Sequence, residues 1–522
     1  MLDLLIEGAL VVDGDGGPAR PGRVGVRGDR IAWTSFDAAG APPAAARAIA
    51  TPGRVLTPGF IDVHTHSDLA PFADPEMPSA LRQGVTTVVV GNCGASPWPA
   101  AGAAECAAIL GSDAAELGAS FETFGAFLDA IEAAGPAVNV AALVGHGAVR
   151  AEVMGTSSGA PSPAELAAMA RLVGSAVRDG AVGLSTGLIY IPGQWAGTDE
   201  LLALATASAD AGGLYASHVR GEGPTVFAAV DEAIAIGERA GLPVHVSHLK
   251  LDGPEVWGRA AELLARIHGA ADATADQYPY TAWNSNLWTL LPTWVPAGGL
   301  ARVLDDPASR RRLERAVACG EPGTPAMAMD AFGWDRVVIE HGADPRWNGR
   351  SLARIAEDRG ETPVRSLFEI LIADPDTSCI GFGMDEGDVA TILADPSVFV
   401  ASDGWAMSPD GPLGGLPVHP RNYGTFPRVV GREVRAGTLP LETAIRKMTS
   451  LPADRFGLEG RGRIVEGAFA DLVVFDPDRV EDRAGFEDPH RFPDGIDLVL
   501  VNGRIAWDGG TVRRAGRVLR RG

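Results

Sequence analysis

Lysine is nearly missing from this chain of 522 residues. It occurs twice, at Lys250 and Lys447, and arginine supplies the rest of the 44 basic residues. Each lysine can therefore be weighed on its own. Cysteine is also scarce: Cys93, Cys106, Cys319 and Cys379 are too few in so long a chain to form a disulfide framework, which points to a reducing, cytoplasmic setting. No run of about 18 apolar residues occurs, so no membrane span is expected. The first residues, Met1 to Gly8, lack a basic region and a small-residue cleavage site and read as a strand rather than a signal peptide. Basic residues are outnumbered by 66 acidic ones, and the net charge of −22 argues against nucleic acid or an anionic membrane as partner. What is present is apolar sequence, 46% of the chain, with 66 glycines and 38 prolines spread between apolar runs. That is the composition of a folded, loop-rich α/β protein.

Both ends of the chain carry the same pattern. Leu4–Gly14 and Val499–Gly509 each consist of an apolar run, a glycine turn and a second apolar run, as in a β-hairpin. Residues 1–55 and 460–522 are therefore expected to form one small β-sandwich domain from the two termini. Between them, short apolar runs alternate with stretches rich in Ala and Leu. The runs are Gly59–His64, Thr86–Val90, Val138–Leu143, Val182–Leu184, Leu214–Ser217, Val244–Ser247, Asp272–Ala275 and Val398–Ala401. Eight strands with intervening helices predict a (β/α)8 TIM barrel over 56–459. Ser162, Pro163 and Glu165 spell a capping box at one helix start, and another helix is expected from Thr198. A Trp- and Pro-rich interval, about 284–344, interrupts the alternation and reads as an insertion that caps the barrel mouth.

Polar residues sit where the apolar runs stop. His64 and His66 close the first run, at a spacing that places both on one strand face. His218 ends Leu214–His218, His248 ends Val244–His248 and Asp403 follows Val398–Ser402. In a closed barrel these ends converge, and imidazole with carboxylate is a zinc-ligand set. Cys93 follows Val88–Asn92 in the same manner. An isolated cysteine there is usually structural, but next to a metal site it becomes a candidate thiolate ligand. Cys106, Cys319 and Cys379 read as structural. His146 also follows a strand, and His245 lies three residues before His248 and is expected to pack.

These motifs resemble the amidohydrolase superfamily: His64-Thr65-His66, Ser217-His218, Ser247-His248 and Ser402-Asp403-Gly404. Gly91-Asn92-Cys93-Gly94 narrows the resemblance to the D-aminoacylases, or N-acyl-D-amino-acid deacylases. It continues through Gly183–Tyr190, Ser247–Lys250, Tyr278-Pro279-Tyr280 and His419–Arg428, across nearly the whole chain. The resemblance implies a tightly held zinc on Cys93, His218 and His248. It implies a second, weaker site of His64, His66 and Asp403 that shares Cys93. Many related hydrolases bridge their metals with a carboxylated lysine, but this chain has none near the third or fourth strand. That weighs against the alternative, a cyclic-amide hydrolase of dihydroorotase or hydantoinase type. A catalytically dead scaffold would have lost ligands, and none is lost.

The activity implied is hydrolysis of a small N-acyl-D-amino acid by metal-activated water, with Asp403 as general base and then acid. Arg421, Lys250 and Tyr280 match family positions that hold the α-carboxylate. Tyr190, with Leu287 and Trp288, is expected to shape the side-chain pocket. Thr281–Leu291 contains no Arg or Lys, which favours apolar or uncharged side chains. The segment Trp405–Val418, with Pro409–Gly414 in it, resembles the members that prefer hydrophobic substrates.

Overall fold

A computed structural model of the chain describes all residues except 37–39, 110–113, 322–326, 412–413, 416 and 522. Pro412 and Leu413 of the 405–418 segment, and 322–326 of the expected insertion, thus lie outside the described residues.

All eight apolar runs form strands: Phe60–Asp62, Val85–Val90, Asn139–Ala142, Gly183–Gly187, Leu214–His218, Val244–Val246, Ala273–Gln277 and Val398–Val400. Each pairs in parallel with the next. The third strand continues as Val144–Gly145, which pairs with the fourth. The ring closes between the eighth and first strands. There the Asp403 N–H donates to the His64 carbonyl and the His66 N–H to the Gly404 carbonyl, both at 2.8 Å.

Alternation sorts the strand side chains into two layers. Ile61, Val89, Ala141, Leu214, Ala216 and Phe399 point inward and share one core with Phe456, while Phe60, Val88, Val140, Tyr215, Val246 and Val400 belong to the core beneath the outer helices. Those helices include Pro163–Arg178, Thr198–Asp210, Val226–Ala240 and Ala260–Gly269. The first of them begins with the expected capping box: Ser162 accepts from the Glu165 N–H, and Glu165 accepts from the Ser162 N–H. Such a cap contributes about 1 kcal/mol.

Strands from both termini form one continuous eight-stranded sheet. It forks at Leu2–Val11, which pairs with Arg20–Arg27 on one side and with both Ala45–Ala50 and Val55–Pro58 on the other. Leu472–Phe475 joins it along Val55–Pro58. Leu4, Val26, Leu472 and Leu500 meet in a single core, so the arms of the fork curl over one interior.

Between the seventh and eighth barrel strands lies an inserted unit with its own sheet, Trp283–Asn286, Ser378–Gly381 and Val337–His341 in that order, and its own core. It runs farther than the expected limit at 344. Ser378–Gly381 is its middle strand and pairs with both others, so the unit is incomplete without it. Among the described residues no helix is long and apolar enough to cross a membrane.

Candidate metal centre

Cys93 is the hub. Its Sγ lies 3.3 Å from His64 Nε2, 3.6 Å from His218 Nδ1 and 3.5 Å from His248 Nε2. Asp403 Oδ1 lies 3.1 Å from His66 Nε2 and 3.3 Å from His64 Nε2. Two groups result, Cys93–His218–His248 and His64–His66–Cys93–Asp403, each with its ligand atoms within 4.8 Å of one another. The two histidines of the first run lie beyond that strand's end at Asp62. Strand alternation therefore does not place them; the turn fastened to the eighth strand does. Cys93, His248 and Asp403 all have positive φ, +52°, +35° and +50°. Such conformations cost about 1–3 kcal/mol each and persist where surrounding contacts enforce them. Around Cys93 the turn also needs its glycines: a Cβ on Gly91 would stand 2.0 Å from the Leu143 carbonyl oxygen.

Buried carboxylates orient the imidazoles. Glu222 Oε1 accepts from Lys250 Nζ at 2.5 Å and lies 2.9 Å from His248 Nδ1. Asp276 takes the His248 backbone N–H at 2.8 Å, faces His245 Nε2 at 2.7 Å and lies 3.5 Å from His64 Nδ1. Asp62 accepts from the Ser402 hydroxyl and backbone N–H, which fixes the strand end before Asp403. Burial alone would raise the Glu222 and Asp276 carboxyls. The charge of Lys250 on Glu222, and of His64 on Asp276, instead holds both well below the usual carboxylate range. Burial likewise pushes the Cys93 thiol up, and His64, His218 and His248 outweigh it, favouring thiolate. Asp403 is held low against its own burial by Arg421 and His248.

This donor set fits zinc. Two ligands on a tetrahedral zinc, at about 2.3 Å for sulfur and 2.0–2.1 Å for nitrogen, stand about 3.5–3.6 Å apart. Cys93 stands at that separation from His218 and His248. The ring nitrogens turned towards the sulfur, His64 Nε2, His218 Nδ1 and His248 Nε2, are the ones that would hold the ion. Neither lysine can bridge metals in place of Cys93. Lys250 is tied to Glu222 and His248, and Lys447 is capped by the Leu393 and Asp395 carbonyls.

The other expected site residues divide. Tyr190 lines a cleft that is also lined by His218, His248, Lys250 and Asp403. Its ring stands edge-on to His218, 5.1 Å between centroids. Arg421 is buried with Nη1 2.8 Å from Asp403 Oδ2, so in this structure it faces the expected base; its Nε has no hydrogen-bond partner among the described residues. Neither Arg421 nor Tyr280 is among the residues lining the cleft. The Tyr280 ring packs against His419 and under Arg428, and its hydroxyl lacks a hydrogen-bond partner among the described residues. The ring of Tyr278 is the one beneath Arg421, at 4.8 Å, and near Lys250. Leu287 does not shape the cleft either. The 3-10 turn Leu287–Leu290 rotates it into the inserted unit's core with Trp288 packed alongside, and Leu290 and Leu291 line the cleft instead. His146 is paired with Glu200, and His245 packs on Phe399 while it bonds Asp276. Glu222, Asp276 and Asp252 are the site carboxylates that sequence reasoning missed. Glu222 was the most accessible of them, four residues beyond His218.

Residues 47–506 match the family model described as "Amidohydrolase family". The chain is 39% identical to a D-aminoacylase of Alcaligenes xylosoxydans xylosoxydans, over 99% of its length and 98% of the relative's. It is 40% identical to an N-acyl-D-glutamate deacylase of the same organism, over 100% and 97%. The solved N-acyl-D-glutamate deacylase of Bordetella bronchiseptica, in complex with zinc and a phosphonate mimic of the tetrahedral intermediate, superposes with a TM-score of 0.81 at 36% identity, covering both chains completely.

Proposed function

The chain belongs to the amidohydrolase family, among the D-aminoacylases, and from that premise we propose that it hydrolyses N-acyl-D-amino acids to a carboxylate and a free D-amino acid. The observation that carries this reading is the pair of ligand groups sharing Cys93, with Asp403 at their edge facing the cleft. Zinc is the metal this donor set suits, held by Cys93, His218 and His248. His64, His66 and Asp403 would form a weaker second site with Cys93. His66 is the more exposed histidine, and Asp403 is shared with Arg421, which supports the difference. When bound, zinc lowers the pKa of water and polarises a carbonyl.

Asp403 is the general base of this reading. Its Oδ1 takes the proton from the attacking water, and the same carboxyl then returns it to the departing nitrogen. Arg421 and the turn around Gly404 hold that carboxyl in place. Arg421, through its unpartnered Nε, and Lys250, through an N–H donor not taken by Glu222, bind the α-carboxylate. Tyr280 supplies its hydroxyl only if its ring turns towards them.

The side chain occupies the cleft beside Tyr190, Ile189, Leu290 and Leu291. Glu222 and Asp252 also line it, and the cation lining it among the described residues, Lys250, is paired with Glu222. An acidic side chain would meet carboxylates there, which favours apolar or uncharged D-amino acids. The test is zinc content together with free-amine release from a panel of N-acetyl-D- and N-acetyl-L-amino acids and a hydantoin. Release from uncharged D-substrates by zinc-loaded protein is expected. Preference for L-substrates or for the cyclic amide would overturn the reading.

A further inference from the structure

Asp252 occupies the seam where the barrel's wall of the cleft meets the inserted unit. Its backbone N–H donates to the Glu222 carbonyl at 2.9 Å, and the Gly253 N–H donates to the Gly383 carbonyl at 2.8 Å. The side chain is buried and takes one hydrogen bond among the described residues, from Trp283 Nε1–H to Oδ1 at 2.9 Å. The inserted unit is moulded around that oxygen: a Cβ on Gly383 would stand 1.9 Å from it. Oδ2 has no hydrogen-bond partner among the described residues, and Asp252 lines the cleft, so an acceptor is left over in its wall. Gln194 lines the same cleft, and its side-chain nitrogen is buried without a hydrogen-bond partner among the described residues. Glu222, the other wall carboxylate beside Asp252, is already paired with Lys250.

Polar groups left unpaired in a buried wall carry a desolvation cost that a complementary ligand relieves. A carboxamide is such a ligand, because it presents N–H donors and a carbonyl acceptor side by side. We propose that Asp252 is a specificity-determining residue of the side-chain pocket, which takes a D-amino acid ending in a carboxamide, such as D-glutamine. Its Oδ2 accepts from the carboxamide nitrogen, and Gln194 donates to the carboxamide oxygen. This inference rests on the deacylase reading and narrows its uncharged side chains to one class. A cationic side chain is the poorer match. Burial, with the charge of Glu222, pushes the Asp252 carboxyl up to about 7, so it is only partly ionised at neutral pH. Asn284, Ser285 and Thr289, which line the same cleft, are neutral.

The experiment compares kcat/KM for N-acetyl-D-glutamine, -D-methionine, -D-glutamate and -D-lysine in the zinc-loaded wild type, Asp252→Asn and Asp252→Leu. Glutamine and methionine are similar in length, so their ratio isolates the end group. The wild type is expected to favour glutamine about tenfold over methionine and to reject glutamate. The glutamine-to-methionine ratio should fall about tenfold in Asp252→Leu. Asp252→Asn keeps an acceptor for Trp283 and should raise the glutamate-to-methionine ratio about tenfold, a gain that loss of fold cannot produce. A wild type that handles methionine or lysine as well as glutamine, or ratios unchanged in both variants, overturns the assignment. If no N-acyl-D-amino acid is hydrolysed, the deacylase reading fails instead. Calorimetric binding of free D-glutamine and D-methionine to the zinc-loaded wild type and Asp252→Leu then decides the pocket. Tighter binding of D-glutamine that is lost in the variant supports it, and equal binding of the two by the wild type overturns it.

Discussion

The two halves of the metal centre share a sulfur and differ in almost everything else. On one side, His218 and His248 are buried imidazoles backed by Glu222, which is itself paired with Lys250. On the other, His64 and His66 surround Asp403, whose second oxygen belongs to Arg421. The first half is suited to holding an ion and the second to moving a proton. Placing both jobs on one ligand set would set them against each other, because a carboxylate committed to a metal is a poorer base. Sharing only Cys93 keeps the two functions adjacent and separable.

Removing the hub should erase the distinction. Cys93→Ala is expected to lose turnover on the order of 10³-fold or more together with most zinc, since both groups lose a donor. Zinc retained at wild-type level by mass spectrometry would mean that the sulfur is not the shared ligand. Asp403→Asn should separate the halves. A fall in kcat of about 10²–10⁴-fold is expected with zinc on Cys93, His218 and His248 largely kept. Parallel loss of zinc and rate would make Asp403 a plain ligand. Glu222→Gln should act on the first half alone, weakening zinc affinity about 10–100-fold in chelator competition while the rate at saturating zinc changes less. If chelator competition is unaltered, the backing carboxylate does not support the metal.

The barrel was legible in the sequence because a closed parallel sheet needs apolar residues on both strand faces and ends each strand at the same rim. Eight apolar runs stopping at polar residues, among them His218, His248 and Asp403, are the direct imprint of that geometry. The residues that orient the ligands leave no such imprint. Glu222 sits in a loop, and Asp276 is one carboxylate inside a strand; neither shows a period or a motif. Side-chain direction is also hard to read where regular structure stops. Leu287, expected to shape the side-chain pocket, is carried into the inserted unit's core by a 3-10 turn, and Tyr278, just beyond the seventh strand's end at Gln277, lies under Arg421. Arg421 was legible as a cation near the site, but its hold on Asp403 depends on a helix start that no local pattern reports.

The seam at which the barrel closes joins His64 to Asp403 and His66 to Gly404, partners more than three hundred positions apart in the chain. A nascent chain that has completed seven strands already contains Cys93, both cleft histidines and their carboxylates, yet it lacks the base and the edge that positions the first two histidines. Hydrolytic competence therefore arrives late in synthesis, as a property of the finished ring. Any chain cut short before Val398 would carry most of the candidate metal ligands without the carboxylate proposed as base.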